Sequence, residues 1–550
     1  MRVQVNGKAI ELTRRDFLAQ GGEGAVYVKN RKAYKIYSDT KAVIPEGKVQ
    51  ELSVLSDSKI IRPEALIYEK GKAVGYVMRY ISKTHALCRL FTQAFRSRNG
   101  MTADMSLHLV RDMQKTVEFI HKNSILIVDL NEMNFLVDKK FNEVYFIDVD
   151  SYQTPHYPAT AIMESIRDRH ASRFSELTDW FSFAVVSFQV LIGIHPYKGK
   201  HPKLKGLDER MQANVSVFNK GVKIPHCCVP LTALPPLYRS WFEDVLEKGK
   251  REEPPFDISK AIVVKVALKK IAGSDNFTIE EIAECDWDID SYSQSAFLRS
   301  GGGVLYKKRF TDWNQPSAIC RYGNARIAVG TDAHDKLLLF NLGMQQPIDN
   351  GVIEADAFMV SDGRLYLKSG EHLLETCFHG PEMKPIVSTK LVGNVLERAT
   401  KLFEGVVIQD LLEAWYASVF PESGICIQVK LDTLKGYKVI EAKYEKGLLM
   451  VVGTKKGKYD RFIFSIREGK IGQTRKIEDV SYSGLNFTVL DNGLCACLTE
   501  QTEMEVFAVK NILKVKTIQD PVLHGGMKLT NDGGRVLFVD GKKLYSMRMK

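Results

Sequence analysis

The stretch Ile127–Val137 reads IVDLNEMNFLV, and the segment Phe146–Asp150 that follows it reads FIDVD. An apolar strand delivers the carboxylate of Asp129, and the amide of Asn134 follows five residues later. A second short apolar strand then ends on Asp148, fourteen residues past that amide. Phosphoryl transfer needs this arrangement, because Asp129 could accept and orient a hydroxyl while Asn134 and Asp148 could hold Mg²⁺ against the phosphates of ATP.

The spacing of these residues resembles the catalytic loop and the metal-binding Asp of the protein kinases. Ile127 and Val128 stand where those kinases carry His-Arg, so the loop is of the non-RD type. Because that arginine is missing, we expect that activity is not switched on by phosphorylation of the activation loop. Asn131 replaces a common lysine and is assigned to the nucleotide-binding set. Asp150 replaces the glycine of the DFG triplet, which predicts less flipping of this loop.

A glycine-rich turn lies near the N-terminus, where Leu18–Val28 reads LAQGGEGAVYV. The missing Cβ atoms of Gly21, Gly22 and Gly24 would let backbone N–H groups close over phosphates. In kinase terms the segment reads A-x-G-x-x-G-x-V and ends on Val26, with an alanine in place of the first glycine. Such turns are mostly plain hairpins, so the residues that follow decide its meaning.

Lys35 lies in the β-patterned run Lys32–Tyr37 and fits the strand lysine that contacts the α- and β-phosphates of ATP. The next helical pattern, at residues 43–55, is expected to supply a glutamate that holds this lysine. Glu51, sixteen residues after Lys35, is our assignment, and Glu46 is the alternative. Either could instead be a surface residue.

The segment Ala73–Ile81 predicts a buried strand that runs into the connector between two lobes. Backbone groups near Arg79 and Tyr80 would bond adenine there. A helix is predicted from about Thr102 to Lys122, just before the catalytic loop. Asp179 opens an apolar helix at the position where kinases use an Asp to steady the catalytic-loop backbone.

No Ala-Pro-Glu triplet follows the metal-binding Asp; Glu164 is the substitute that we assign, with Arg251 as its partner. The sequence resembles a bacterial kinase-like family in four stretches of text: D-L-N-E-x-N-F-L-V, then I-D-x-D-S-Y-Q, F-S-E-L-T-D and H-P-Y. That family accompanies tellurium-resistance proteins, von Willebrand factor A-type proteins and PP2C-type phosphatases, which makes the last two candidate partners. The resemblance covers about residues 10–260. It implies a two-lobed kinase fold with an ATP and Mg²⁺ site formed by Lys35, Asn134 and Asp148, and with Asp129 as base.

From about residue 290 the pattern changes to short alternating strands that follow turn signals about forty residues apart, which is the period of a propeller blade. The remaining length of about 260 residues would make six or seven blades, and a pair of β-sandwiches is the alternative. The turns are Tyr322–Asn324, Ser361–Gly363, Phe403–Gly405, Glu445–Gly447, Asp491–Gly493 and Asp532–Gly534.

Composition limits the classes of function. The net charge of +11 is spread over 550 residues without a long basic run, which argues against a nucleic-acid partner. The nine cysteines are odd in number and irregularly spaced, as expected for reduced thiols in the cytoplasm. The N-terminus lacks the apolar core of a signal peptide. The most apolar window, Phe181–Ile194, is too short to span a membrane.

We therefore predict a multidomain α+β protein that transfers a phosphoryl group from ATP to a Ser/Thr hydroxyl of a protein, with the C-terminal β domain recruiting substrate or partner. One alternative is a pseudokinase scaffold, favoured by the altered glycine, His-Arg and DFG positions. The other is a kinase-fold enzyme that acts on a small molecule or transfers a nucleotidyl group. The predicted units are a kinase-like domain at 1–270 with lobes at about 1–80 and 81–270, a short helix at Ile258–Ile271, a linker at 271–290 and a β-propeller-like domain at 291–550.

Overall fold

The computed structural model is a mixed α+β structure. It describes residues 1–225, 227–255, 273–299, 302–307, 309–312, 318–332, 334–351, 353–412, 414–481 and 484–550. The helix predicted at Ile258–Ile271 lies outside the described residues.

The N-terminal region forms one antiparallel sheet. Its strands are β1 Arg2–Val5, β2 Lys8–Glu11, β3 Phe17–Gln20, β4 Gly24–Lys29, β5 Lys32–Tyr37, β6 Pro63–Glu69 and β7 Lys72–Arg79. They lie in the order β2-β1-β6-β7-β5-β4-β3. Two glycines let the neighbours of β5 approach it closely. A Cβ on Gly24 would lie 2.0 Å from the carbonyl oxygen of Ile36, and one on Gly75 would lie 1.9 Å from that of Lys35.

Helix α1, Glu46–Leu52, follows β5 and precedes β6 in the chain and packs on this sheet. It is shorter than the helical pattern predicted at residues 43–55. Val49 of α1 shares an apolar cluster with Ile44 and with the sheet residues Tyr37 and Tyr76. The helix therefore lies directly over the strand that carries Lys35.

The second region is mainly helical. Its elements are β8 Thr84–Ala86, α2 Gln93–Arg98, α3 Ala103–Lys122, β9 Phe135–Asp138, β10 Val144–Phe146, α4 Glu176–Ile192, α5 Leu207–Gln212 and α6 Pro236–Leu246. Thr102 caps α3, so this helix matches the predicted one within a residue. Helix α4 is buried along almost its whole length and ends at Gly193, whose φ of 92° suits a glycine. Residues 123–134, the predicted catalytic loop, connect α3 to β9.

The C-terminal region consists of four-stranded antiparallel sheets. Within the described residues, six of these sheets are each formed by strands consecutive in the chain, and a seventh combines the strand at 277–284 with the last three strands. The strands are β11 Phe277–Glu284, β12 Ile289–Ser293, β13 Ala296–Arg299, β14 Val304–Tyr306, β15 Arg309–Thr311, β16 Ala318–Tyr322, β17 Ala325–Thr331, β18 Leu337–Asn341, β19 Gln346–Pro347, β20 Ala357–Ser361, β21 Arg364–Ser369, β22 His372–His379, β23 Ile386–Asn394, β24 Thr400–Phe403, β25 Val406–Asp410, β26 Trp415–Val419, β27 Ile427–Lys430, β28 Lys438–Glu445, β29 Leu448–Lys455, β30 Lys458–Arg467, β31 Lys470–Ile477, β32 Phe487–Val489, β33 Leu494–Leu498, β34 Met504–Ala508, β35 Asn511–Ile518, β36 Lys528–Asn531, β37 Val536–Asp540 and β38 Lys543–Met549.

Five of the six predicted turns lie between the first and second strand of a sheet in chain order, and the sixth lies between β36 and β37 of the sheet that includes β11. Each turn contains one glycine with a positive φ, between 54° and 94°, a conformation that side chains with a Cβ rarely adopt. The predicted linker at 271–290 is wrong in its extent. β11 lies inside it and pairs with β38, because the last sheet takes its outer strand from the start of the region.

The two halves of the chain share one hydrophobic core. Ile440, Val452, Tyr459 and Val480 of the C-terminal region belong to the same buried cluster as the interior of α3 and α4. At its edge the Nζ atom of Lys198 lies 2.6 Å from Asp479. The β sheets therefore pack against the helical region.

Among the helices that the structure describes, none combines the length and the apolar character that a membrane span requires. The nine cysteines, all within described segments, are free thiols.

Candidate active site

Lys35 lies at the centre of the site, on β5. Its Nζ atom lies 2.9 Å from Glu23 Oε2, 2.8 Å from Asp148 Oδ1 and 2.7 Å from Asp150 Oδ2. Lys35 is only 7% exposed. Burial by itself would lower the pKa of Lys35, but Asp150 and then Asp148 outweigh it and raise this pKa far above its usual value. The lysine is therefore firmly protonated.

Asp150 is buried and fully hydrogen-bonded. The hydroxyl of Tyr37 donates to its Oδ2 and the hydroxyl of Tyr76 to its Oδ1, both at 2.5 Å. Burial would raise the pKa of Asp150, but the charge of Lys35 and these hydrogen bonds hold it below the usual range. At Asp148, burial and the neighbouring Asp150 raise the pKa, with Lys35 opposing the shift. The pKa values of the two carboxylates therefore shift in opposite directions, although Lys35 acts to lower both.

The assignment of Glu51 as the partner of Lys35 is wrong. Glu51 accepts from His156 Nδ1 at 2.6 Å instead, and the alternative, Glu46, is exposed. The residue that α1 turns toward the site is Lys48, which is buried and donates from Nζ to the backbone oxygen of Asp150 at 2.7 Å. Lys48 and Glu51 are three positions apart and so lie on the same side of α1, but only Lys48 reaches the site.

The glycine-rich turn lies next to Lys35. Gly21 N–H donates to the carbonyl of Gly24 at 2.8 Å, which closes the turn between β3 and β4. Val26 pairs with Lys35 across the β4–β5 ladder. A Cβ on Gly22 would meet nothing within 4 Å, so this position leaves open space above the backbone.

The catalytic loop holds a strained backbone. Val128 has a φ of 62°, which is unusual for a β-branched residue. Asp179 at the start of α4 stabilises this conformation: its carboxylate accepts from Ile127 N–H at 2.7 Å and from Val128 N–H at 2.9 Å. His121 Nε2 lies 3.0 Å from the same carboxylate. The predicted contact between Asp179 and the loop backbone is therefore present.

Asn134 and Asn131 shape the turn after Asp129. Asn134 Nδ2 donates to the backbone oxygen of Asp129 at 3.0 Å, and Asn131 Oδ1 accepts from Met133 N–H at 2.8 Å. Ile147 N–H donates to the carbonyl of Asn134 at 3.0 Å, which links the catalytic loop to the strand before Asp148. Asn131 is buried in this turn.

The carboxylate of Asp129 is already engaged. Its Oδ1 accepts from Met163 N–H at 2.8 Å, a residue of the segment between β10 and α4. Burial raises the pKa of Asp129 above its usual value, and the Met163 bond opposes this shift. Gly457, in the β29–β30 turn of the C-terminal region, packs on the same segment. A Cβ there would lie 2.5 Å from Ser165 Oγ and 3.0 Å from Met163 Sδ.

Glu132 is a residue of the loop that sequence reasoning missed. It is 2% exposed, and its Oε1 accepts from the hydroxyl of Tyr459 on β30 at 2.7 Å. Burial raises the pKa of this carboxyl group. The two residues are 327 positions apart, so no local pattern could have paired them. The C-terminal region thus contacts the catalytic loop directly.

The predicted adenine contacts lie at the end of β7. Arg79 is the last residue of that strand, and Tyr80 N–H donates weakly to the carbonyl of Arg31 at 3.4 Å. Burial raises the pKa of Tyr80, and a hydrogen bond with Arg398 of the C-terminal region opposes this. Adenine binding at Arg79 and Tyr80 stays a prediction.

The proposed pair of Glu164 and Arg251 is also wrong. Arg251 binds Asp168 in a bidentate pair, with Nε and Nη2 each 2.6 Å from a carboxylate oxygen. Glu164 instead contacts Arg167 and Arg169 on the surface. Asp168 is buried whereas Glu164 is exposed, so the buried carboxylate takes the guanidinium.

No family model matches the chain. Over 143 residues the chain is 27% identical to a probable serine/threonine-protein kinase of Dictyostelium discoideum. This alignment covers 24% of the chain and 10% of that protein, so the chain spans about a tenth of the length of the curated relative it matches. The chain is thus similar, over part of its length, to a protein kinase.

Proposed function

We propose that the protein is a protein kinase that transfers the γ-phosphoryl group of ATP to a Ser/Thr hydroxyl with Mg²⁺. The observation that carries the proposal is the 2.8 Å contact between Lys35 Nζ and Asp148 Oδ1, residues 113 positions apart. A phosphate-binding lysine and a metal-binding carboxylate must meet at one triphosphate. The partial similarity to a kinase supports the same conclusion.

The donor set fits magnesium. Mg²⁺ prefers carboxylate and carbonyl oxygens together with phosphate oxygens. Asp148 and Asn134 would hold the ion, which supplies charge neutralisation at the phosphates. Glu23 and Asp150 bring further carboxylate oxygens within 4.8 Å of Asp148. Asp129 would orient the acceptor hydroxyl. When ATP is bound, Lys35 would contact its phosphates as well as the neighbouring carboxylates.

We further propose that the C-terminal region is a seven-bladed β-propeller that recruits a protein. The first strands of the sheets surround a cavity of about 1080 Å³, to which α2 contributes Ser97 and Arg98. The pairing of β11 with β38 joins the two ends of the region, as circular closure requires. A PP2C-type phosphatase or a von Willebrand factor A-type protein as the partner stays a prediction, as does a cytoplasmic location.

A nucleotide-holding scaffold is the second candidate. Two observations favour it. Met163 N–H donates a hydrogen bond to the carboxylate of Asp129, and three carboxylates already form ion pairs with Lys35. A protein fixed in this arrangement would bind nucleotide without transferring phosphate.

Labelled ATP separates these functions. Wild-type protein and the Asp129→Ala and Asp148→Ala variants are incubated with Mg²⁺ and either γ-labelled or α-labelled ATP. Loss of γ-label transfer on the order of 10³-fold in both variants supports the kinase. The exposed Asp432→Ala variant, in the C-terminal region, is the matched control and should transfer normally. Transfer of α-label would indicate nucleotidylation, and binding without transfer would indicate the scaffold.

A further inference from the structure

Asp150 occupies the position where the protein kinases carry the glycine of DFG, and a carboxylate there reaches the phosphate-binding lysine. The 2.7 Å contact with Asp150 is the shortest of the three carboxylate contacts of Lys35. Among these three carboxylates, Asp150 is the one that is almost completely buried, with 3% of its side chain exposed against 32% for Asp148 and 59% for Glu23. It is therefore the partner that solvent screens least.

Asp150 is itself held in place. Tyr37 and Tyr76 each donate a hydroxyl to one of its carboxylate oxygens, and both tyrosines belong to the core under α1. Both oxygens are thus satisfied, which fixes the orientation of the carboxylate and of the lysine bound to it. Exposed Glu23 lacks such support, and Asp148 is assigned to the metal.

We propose that Asp150 is the positioning residue for Lys35, in the role that a helix glutamate has in other kinases. This inference rests on the proposed function. Helix α1 presents Lys48 rather than a glutamate, and Lys48 Nζ donates to the backbone oxygen of Asp150 at 2.7 Å. Helix α1 is still connected to Lys35, but through Asp150.

A double-mutant cycle tests whether Asp150 acts through Lys35. The variants are Asp150→Asn, Lys35→Met and the combination, with kcat and KM for Mg·ATP measured by γ-label transfer. Displacing a binding group by about 1 Å can cost on the order of 10² in rate, so we expect Asp150→Asn to lower kcat by about that factor. In the Lys35→Met background Asp150→Asn should change kcat by less than about threefold, because the group that it positions is gone.

Glu51→Gln is the matched control. It removes a carboxylate from α1 that the usual kinase pattern would assign to this role, yet here contacts His156. We expect the kcat of Glu51→Gln to equal that of the wild type. A large loss in Glu51→Gln, or retention of kcat in Asp150→Asn, would overturn the proposal. So would equal effects of Asp150→Asn with and without Lys35, because they would indicate a merely structural role.

Two further measurements keep the test decisive. Tyr76→Phe removes one hydrogen bond to Asp150 without removing its charge, and serves if Asp150→Asn does not fold. A smaller fall in kcat that also vanishes in the Lys35→Met background supports the proposal, whereas an unchanged kcat counts against it. If the wild type transfers no phosphate, the proposed function fails. The same cycle on the Kd for a fluorescent ATP analogue with Mg²⁺ then decides the role of Asp150 separately.

Discussion

Lys35 and Asp129 lie on the two sides of the candidate site, and different parts of the chain hold them. The Lys35 side is self-contained, since Glu23, Tyr37, Tyr76 and Asp150 all come from the first 150 residues. On the Asp129 side the catalytic loop depends on distant segments: α4, the segment with Met163, and β30 of the C-terminal region. The Lys35 side is therefore built locally, whereas the Asp129 side is coupled to the β sheets.

The largest loss of stability should follow from removing the Asp179 carboxylate, which holds the catalytic loop from the start of α4. Asp179→Ala leaves the buried N–H groups of Ile127 and Val128 without acceptors, at about 1–3 kcal/mol each. We expect the free energy of unfolding to fall by about 3–5 kcal/mol, measured by urea titration. The exposed Asp104→Ala variant, in the first turn of α3, should change it by less than about 1 kcal/mol. A loss of similar size in both variants would contradict this account.

Breaking the contact between the catalytic loop and the β sheets should cause the next largest loss of stability. Tyr459→Phe leaves the buried Glu132 without its donor, and we expect a loss of about 2 kcal/mol in unfolding free energy. Tyr366→Phe is the matched control, because the buried hydroxyl of Tyr366 has no hydrogen-bond partner among the described residues. Equal losses in the two variants would show that the Glu132 bond contributes nothing. The Kd for Mg·ATP should stay within about twofold in Tyr459→Phe, since the Lys35 side is not touched.

The turn that packs on the segment with Met163 should have a smaller effect once the cost of a positive φ, which its control variant shares, is subtracted. Gly457→Val has to adopt a positive φ and would also collide with Ser165 and Met163. Gly493→Val is the matched control, because Gly493 has a similar φ of 79° but nothing within 4 Å of its Cβ position. The left-handed conformation alone costs about 1–2 kcal/mol, and we expect Gly457→Val to cost about 1 kcal/mol more. Equal melting temperatures for the two variants would argue against a tight contact there.

The sequence predicts well what a local pattern encodes. The contact of Asp179 with the loop backbone follows from its place at a helix start, whereas the roles that the spacing assigns to Asp129, Asn134 and Asp148 stay predictions. The turns of the C-terminal region are predictable from the sequence because each needs a residue that tolerates positive φ, and glycine recurs at these positions.

The sequence fails where side chains compete for one place. Lys48 carries no signal in the sequence, because a buried lysine is rare and requires partners, here Asp148 and Asp150, which only the folded chain brings near it. Asp168 gives no sign in the sequence that it replaces Glu164 as the partner of Arg251, because the relative burial of the two carboxylates does not show in the pattern. The Glu132–Tyr459 bond joins residues of different regions, and neither carries a motif.

The last prediction concerns His195, at the boundary between the helical region and the β sheets. Its effect on stability should be the smallest of the four at neutral pH. It is buried next to the β sheets, its Nε2 donates to the carbonyl of Ser165 at 2.8 Å, and its Nδ1 accepts from Tyr197 N–H. Burial lowers the pKa of His195 to about 3, so the folded protein holds it neutral. Between pH 3 and about 6.5 the unfolded chain then binds one more proton at this residue than the folded chain.

Stability should therefore fall as the pH drops below about 6.5, by up to about 1.4 kcal/mol per pH unit from this histidine alone. His195→Gln keeps a donor and an acceptor but cannot take up the proton, so the slope of unfolding free energy against pH should decrease by about one proton between pH 6 and 4. His372→Gln, at an exposed position on β22, is the matched control for losing an imidazole. If both variants keep the wild-type slope, His195 does not contribute to acid sensitivity, and the boundary between the helical region and the β sheets is held together without it.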